Sequence, residues 1–284
     1  MPIANAKDLL MKAEKGGYAI GAFNCTNMEI LQAIVGAAEE MEAPVIVQAS
    51  QGAIKYAGLE YIAALAKTAA EISKVPIAIH LDHGTGFEQV MKCIRFGFTS
   101  VMFDGSMLPL EENIARTAEV VKAARFVGVS VEGELGRIGG TEDDVSVEEG
   151  EEYFTDPQEA VVFVERTGVD FLAVAVGTVH GKYKGEPKLN FELLEEIKKN
   201  VGIPLVLHGS SGLPGEDIKK AVSLGVRKVN IDTDLREAFV EGMKEALEKN
   251  PGEIDPRKIL GPAREKMKEI VKEKISFLGC AGTL

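Results

Sequence analysis

His83, His180 and His208 each stand at the end of a strand-like apolar run, in PIAIHLDH, FLAVAVGTVH and IPLVLHG. Each run leads into Gly-containing loop sequence and then into a helical pattern. In a parallel β/α protein, chemistry gathers at the C-terminal strand ends. Three neutral imidazoles converging there leave a metal coordination position open, as in a catalytic rather than a structural zinc site. Three unrelated core or surface histidines would not share this repeated context. His80, three residues before His83, reads as a packing or supporting residue.

The other run ends add carboxylates and amides. Asp82 adjoins His83, Asp104 closes SVMFDG, Glu132 and Glu134 lie in VSVEGEL, and Asn230 and Asp232 lie in KVNIDT. Side chains two apart on a strand share a face, so Glu132 and Glu134 point the same way. Burying that much carboxylate is costly without cations. Few Lys or Arg stand at the run ends, so divalent metal is expected, with a second site at Asp104 and Glu134. Gly-rich turns and helix N-termini bind anions through backbone N–H groups. HGSSG (208–212), NIDTD (230–234) and HGKYKG (180–185) are three such segments.

The elements that must position these residues alternate along the chain. Strands are expected at 18–24, 44–50, 76–82, 100–105, 129–135, 170–177, 203–209 and 228–233. Helical patterns follow at 27–42, 59–73, 86–96, 109–126, 157–167, 191–200, 214–224 and 234–249. The strands are nearly continuously apolar, as when both faces are covered. Eight strand–helix pairs make a (β/α)8 TIM barrel, an α/β fold, here one domain over 1–284. A helix at 5–15 would plug the bottom, and 255–278 forms a C-terminal helical extension with no evident core role. A doubly wound sheet would need a G-x-G-x-x-G loop after the first strand, and FNCTNME lacks one. The longest interruption, 136–156, carries Gly136, Gly139 and Gly140, which would let it swing.

The 284 residues are 45% hydrophobic and carry a net charge of −12 with no basic face, which argues against nucleic acid as partner. No apolar run approaches the roughly 18–20 residues of a membrane helix, and the N-terminus is amphipathic rather than a signal peptide. Cys25, Cys93 and Cys280 are odd in number and form no C-x-x-C. They suit a reducing cytoplasm rather than a disulfide framework.

LDHG, VMFDGS, VEGELGRIGGTEDD, GTVHGKYKGEP, PLVLHGSSGLP, KVNIDTDLR and DPRKILGPAREKMKEIV occur in that order over nearly the whole chain. In these segments the chain resembles class II, zinc-dependent fructose-bisphosphate aldolases. The resemblance implies reversible aldol cleavage of fructose 1,6-bisphosphate to dihydroxyacetone phosphate (DHAP) and glyceraldehyde 3-phosphate, by a homodimer or homotetramer. It makes His83, His180 and His208 the zinc ligands, and Asp104 and Glu134 a second, non-catalytic metal position. It makes Asp82 the acid/base at the C4 oxygen and Glu142 the loop group that exchanges the DHAP proton. Substrate would be held by Asn24, Ser50, Gly181, Gly209, Ser210, Ser211, Asn230, Ile231, Asp232 and Thr233. Arg257 would reach the distal phosphate of a neighbouring subunit. The resemblance also leaves room for a monovalent cation.

A Lewis-acid metal suits polarisation of the C2 carbonyl, and none of the run-end positions above is the lysine a Schiff-base mechanism needs. Tagatose-bisphosphate aldolases resemble NVATE where this chain has NIDTD, so Asp232 favours fructose, as does LDHG rather than LDHH. A tagatose-bisphosphate aldolase, a zinc hydrolase and a non-catalytic accessory subunit of the same fold remain the alternatives.

Overall fold

In the computed structural model, which describes residues 3–142, 145–147, 153–181, 183 and 185–284, eight parallel strands close into a ring. They are β1 (Ile20–Asn24), β2 (Val45–Ser50), β3 (Ile77–Gly84), β4 (Ser100–Phe103), β5 (Ser130–Leu135), β6 (Phe171–Val174), β7 (Leu205–Leu207) and β8 (Val226–Ile231). Each pairs with the next in sequence, and β8 pairs with β1 to complete the barrel. The expected (β/α)8 architecture is therefore present.

Helix boundaries follow local capping chemistry. The helices Pro157–Thr167 and Phe191–Asn200 fall where the sequence places them. Asp156 accepts from the Gln158 and Glu159 N–H groups, and Asn190 accepts from Leu193 N–H. Such caps satisfy donors that a helix start leaves open. Gly168 ends the first of these helices in the left-handed conformation at φ 69°, which glycine adopts without a Cβ penalty.

The barrel interior is built in layers by period-2 alternation. Ile20, Ala22, Ile46, Ala78, Phe171, Ala173 and Val206 form an apolar floor with Leu9, Leu10 and Ala13 of the helix Ala6–Gly16. The N-terminal helix thus closes the bottom, as expected. Above it stand Asn24, Gln48, His80 and Asp82, two or four residues further along β1, β2 and β3, with Glu132 and Glu134 of β5 and Lys228 and Asn230 of β8, all buried. The floor is dry and the mouth is polar.

Three features depart from the sequence expectations. The C-terminal helix Pro256–Leu278 does have a core role: Ala263, Met267, Val271, Ile275 and Leu278 are buried in the main core. Gly242 of the helix Thr233–Lys249 lets it approach closely, since a Cβ there would lie 2.6 Å from Ala263 Cα. A short helix, Gln51–Ala57, follows β2 directly, capped by Ser50 Oγ accepting from Ala53 N–H at 3.2 Å. Finally, the base of the 136–156 segment is tied down rather than free. Gly139–Glu142 pairs in parallel with Val179–His180 and antiparallel with Val145–Val147, and Arg137 bridges Tyr153. Gly136 and Gly140 allow that close approach: a Cβ on Gly140 would lie 2.2 Å from His180 O.

Candidate metal centre and acid–base site

Asp82 and His83 are neighbours on one strand, so ordinary alternation would send them to opposite faces. Both nevertheless enter the barrel mouth. The pairing of β3 with β4 shifts register between Leu81 and Gly84, and His83 has φ 47°. A bulge re-aims a side chain in this way, and a positive φ outside glycine is strain that tends to be kept at functional sites.

The three imidazoles converge. The ligand atoms offered by His83, His180 and His208 lie within 4.8 Å of one another, and all three residues are buried. Carboxylates fix two of the tautomers. His83 Nδ1 lies 2.7 Å from Asp104 Oδ2, and His208 Nε2 lies 2.8 Å from Glu132 Oε1. A carboxylate accepts, so those nitrogens carry the protons. Burial holds His208 below its ordinary pKa and keeps it neutral. With both rings neutral, His83 Nε2 and His208 Nδ1 would face each other 3.0 Å apart as lone pairs. Two such lone pairs repel unless a cation lies between them. Carboxylate–imidazole pairs of this kind orient the ligands of divalent metals, and the donor set fits one.

His83, Asp104 and Glu134 form a second cluster of the same dimension. Burial alone raises the Asp104 carboxyl, but the His83 ring and the Ser106 hydroxyl and N–H outweigh it and hold it well below the usual range. Burial and the neighbouring Asp104 carboxylate push Glu134 well above that range. Glu134 Oε2 is buried with no hydrogen-bond partner. A divalent cation between the carboxylates would reverse this, so the second cluster also fits a metal.

Asp82 is fully buried and accepts from three amides: Asn24 Nδ2 at 3.2 Å, Gln48 Nε2 at 3.1 Å and Asn230 Nδ2 at 3.1 Å. Asn24 and Asn230, expected to touch substrate, are thus committed to Asp82. Asn230 Nδ2 also lies 3.3 Å from His208. Gln48 was not anticipated, and neither was Lys228. Contrary to the expectation that few cations stand near the carboxylates, Lys228 is buried inside the barrel, 2.8 Å from Glu132 Oε2. Burial raises the Glu132 carboxyl, but Lys228, His208 and His80 outweigh it and hold it well below the usual range. Glu132 is therefore neutralised by an ammonium and hydrogen-bonded by imidazole. Its protons committed at a fully buried position, Lys228 is not presented to a substrate carbonyl.

Comparison with known proteins is decisive at this point. A family model described as class-II fructose-bisphosphate aldolase matches residues 4–283. A probable fructose-bisphosphate aldolase of Bacillus subtilis is 51% identical over 98% of each chain. The chain belongs to the class-II fructose-bisphosphate aldolase family. It is therefore a lyase of a metal-dependent family. A sulfofructosephosphate aldolase of Alkalicoccus urumqiensis is 47% identical over 98% of this chain and 97% of its own. A D-tagatose-1,6-bisphosphate aldolase subunit of Klebsiella oxytoca is 44% identical over the full length of both chains. Among solved structures, the YdjI aldolase of Escherichia coli K12 superposes with a TM-score of 0.88 at 35% identity, over 99% of each chain.

The remaining positions matched to the family fall as follows. Gly181 and Gly209 take left-handed backbone at φ 82° and 63°, and a Cβ on Gly209 would lie 2.4 Å from Val179 O. The turn is further held by Tyr183, unnoticed in the sequence, whose hydroxyl donates to Gly209 O at 2.8 Å. Ser210 donates to Asn230 O, and Ser211 Oγ accepts from Asp234 N–H at 3.4 Å. Lys274 of the C-terminal helix pairs with Asp234, so that helix braces the anion segments. Thr233 opens the helix Thr233–Lys249, while Ile231 is core, which leaves its backbone for any ligand. Asp232 pairs with Arg236 at 2.6 Å. Ser50 caps a helix, as described. Arg257 is 89% exposed at the start of the C-terminal helix and pairs with Asp255 at 2.7 Å. The backbone of Glu142 ends the Gly139–Glu142 strand; its side chain lies outside the described residues. Among the described residues no helix is long and apolar enough to cross a membrane.

Proposed function

We propose that this protein cleaves fructose 1,6-bisphosphate reversibly to DHAP and glyceraldehyde 3-phosphate, with zinc held by His83, His180 and His208. The observation that carries the reading is the pair of facing imidazole nitrogens 3.0 Å apart, their tautomers set by carboxylates, beside a buried Asp82. A bound divalent metal supplies Lewis-acid polarisation of the ketose carbonyl. The chain's own residues do the rest. Asp82 takes the C4 hydroxyl proton as the C3–C4 bond breaks, and the bonding pair stays on the DHAP fragment. Glu142 returns a proton to C3 of that fragment. The three amides on Asp82 fix its oxygens in place for a positioned proton transfer. The Gly181, Gly209–Ser211 and Asn230–Thr233 backbones hold the DHAP phosphate at a helix N-terminus.

Asp104 and Glu134 would hold a second divalent ion, and the site leaves room for a monovalent cation. The whole chain, 1–284, works as one domain in a cytoplasmic homodimer or homotetramer, with Arg257 lent to the distal phosphate of a neighbour. NADH-coupled DHAP release, with and without EDTA, tests the assignment on fructose 1,6-bisphosphate, tagatose 1,6-bisphosphate and 6-deoxy-6-sulfofructose 1-phosphate. EDTA should abolish cleavage, zinc or cobalt should restore it, and the fructose substrate should give the highest kcat/KM. Full activity without metal sinks the mechanism; a higher kcat/KM on either other sugar reassigns the substrate.

A further inference from the structure

Lys228 has no part in the chemistry above, yet it is fully buried at the heart of the polar layer. It precedes Asn230 by two residues on β8, so both side chains point inward. An ammonium has three protons and no acceptor. Here they face Glu132 Oε2 at 2.8 Å, Asn230 Oδ1 at 2.8 Å and His80 Nε2 at 3.4 Å. Because lysine only donates, each contact fixes the sense of the next bond. The Asn230 amide must turn its oxygen to Lys228, which leaves its nitrogen for Asp82 Oδ1 at 3.1 Å. Flipped, the amide would set an oxygen against that carboxylate. Glu132, paired through Oε2, offers Oε1 to His208 Nε2–H at 2.8 Å and leaves the His208 lone pair on Nδ1, toward His83. His80 Nε2 lies 3.3 Å from Glu132 Oε2 and 3.4 Å from Lys228 Nζ, and its Nδ1 lies 2.8 Å from Ser100 Oγ. That ring is thereby locked behind the ammonium.

We propose that Lys228 is a positioning residue that sets, through two separate bonds, the tautomer of the metal-ligating His208 and the amide orientation that holds Asp82. The inference rests on the metal-dependent aldolase reading. A purely structural lysine would serve only to neutralise Glu132. In that case, the double change should perform as Glu132→Gln alone does, since Glu132 itself orients His208. A positioning lysine makes the opposite demand: the fold recovers and the site does not.

The test compares Lys228→Met, Glu132→Gln and Lys228→Met/Glu132→Gln in the full-length enzyme, with the site properties of the double variant read against Glu132→Gln. The single variant leaves a buried carboxylate without its ammonium and should melt lower. In the double variant Tm should return toward wild type. Its zinc affinity, read by chelator competition, should remain weaker by about 10–100-fold, the usual cost of losing a group that orients a ligand. Its kcat at saturating zinc should remain at least about tenfold down for the same reason. A double variant with recovered Tm whose zinc affinity and kcat equal those of Glu132→Gln alone overturns the proposal. Should that variant not fold, the wild-type zinc enzyme labelled with 15N-histidine decides: His208 must be protonated at Nε2 and coordinated through Nδ1, and the reverse tautomer overturns the proposal. Wild-type cleavage that survives EDTA would instead remove the metal reading itself, and that control is separate from either result.

Discussion

Asp82→Ala should separate C–C bond cleavage from every other property of the site. Asp82 is fully buried and takes three amide donors, from Asn24, Gln48 and Asn230. Deleting the carboxylate leaves those donors facing a small polar space. Unsatisfied buried groups cost about 1–3 kcal/mol. Here the loss should sit at the low end, because Gln48 Nε2 keeps Asn24 Oδ1 at 2.6 Å and the space is polar enough to admit water. The fold should therefore survive. Zinc should be retained, since the orientation of His83 and His208 depends on Asp104 and Glu132 rather than Asp82. Positioned acid–base groups contribute about 10²–10⁴ in rate, or roughly 3–5 kcal/mol of barrier, so kcat for cleavage should fall by that factor. Exchange of the DHAP C3 proton with deuterated solvent, followed by NMR, should persist, because Glu142 is assigned that step. Zinc content is read by mass spectrometry on the same preparation. Loss of exchange in step with cleavage, or loss of zinc, would refute the separation of roles.

The packing yields three further expectations. Gly140→Ala should drive the 139–142 strand away from His180, because its Cβ would fall 2.2 Å from His180 O; zinc affinity should drop about tenfold or more, as when a ligand's support is lost. Gly128→Ala, with φ 72° but open space, is the control and should leave zinc binding unchanged. Burial pushes the thiols of Cys25, Cys93 and Cys280 up to about 12 from an ordinary 9.0. They should resist a disulfide reagent at about pH 8 until denaturant is added, because only the thiolate reacts. Their folded pKa values lie above the unfolded ones, so their contribution to stability is full below the unfolded value and is lost as pH rises toward about 12; urea midpoints measured across that range should fall. Arg257→Ala should raise KM for the bisphosphate while DHAP exchange stays normal, and mixing it with Asp82→Ala should restore activity in hybrids; no recovery in mixtures shown to exchange subunits would refute the shared site.

The convergence of the three histidines was legible in the sequence because chemistry and topology coincide there: a histidine after an apolar run is both a strand end and a candidate ligand. The shared face of Glu132 and Glu134 followed from alternation alone. The core role of the C-terminal helix was missed, although Ala263, Met267, Val271 and Ile275 recur every four residues, because eight strand–helix pairs already completed the barrel. Other features had no one-dimensional signal. A barrel strand covered on both faces shows little alternation, so Gln48 in VIVQAS and Lys228 in KVNID do not declare that they point inward. The bulge that turns His83 beside Asp82 needs no glycine at that position, and the pairing of Gly139–Gly140 with Val179–His180 joins segments from different loops. The same limit explains why cations were expected to balance every carboxylate. A buried Lys228 balances Glu132 and leaves Asp104 and Glu134 as the carboxylate pair with no ammonium beside it among the described residues. The carboxylates of the polar layer thus differ by their partners: Glu132 meets an ammonium and His208, Asp104 and Glu134 lie together beside His83, and Asp82 accepts from three neutral amides.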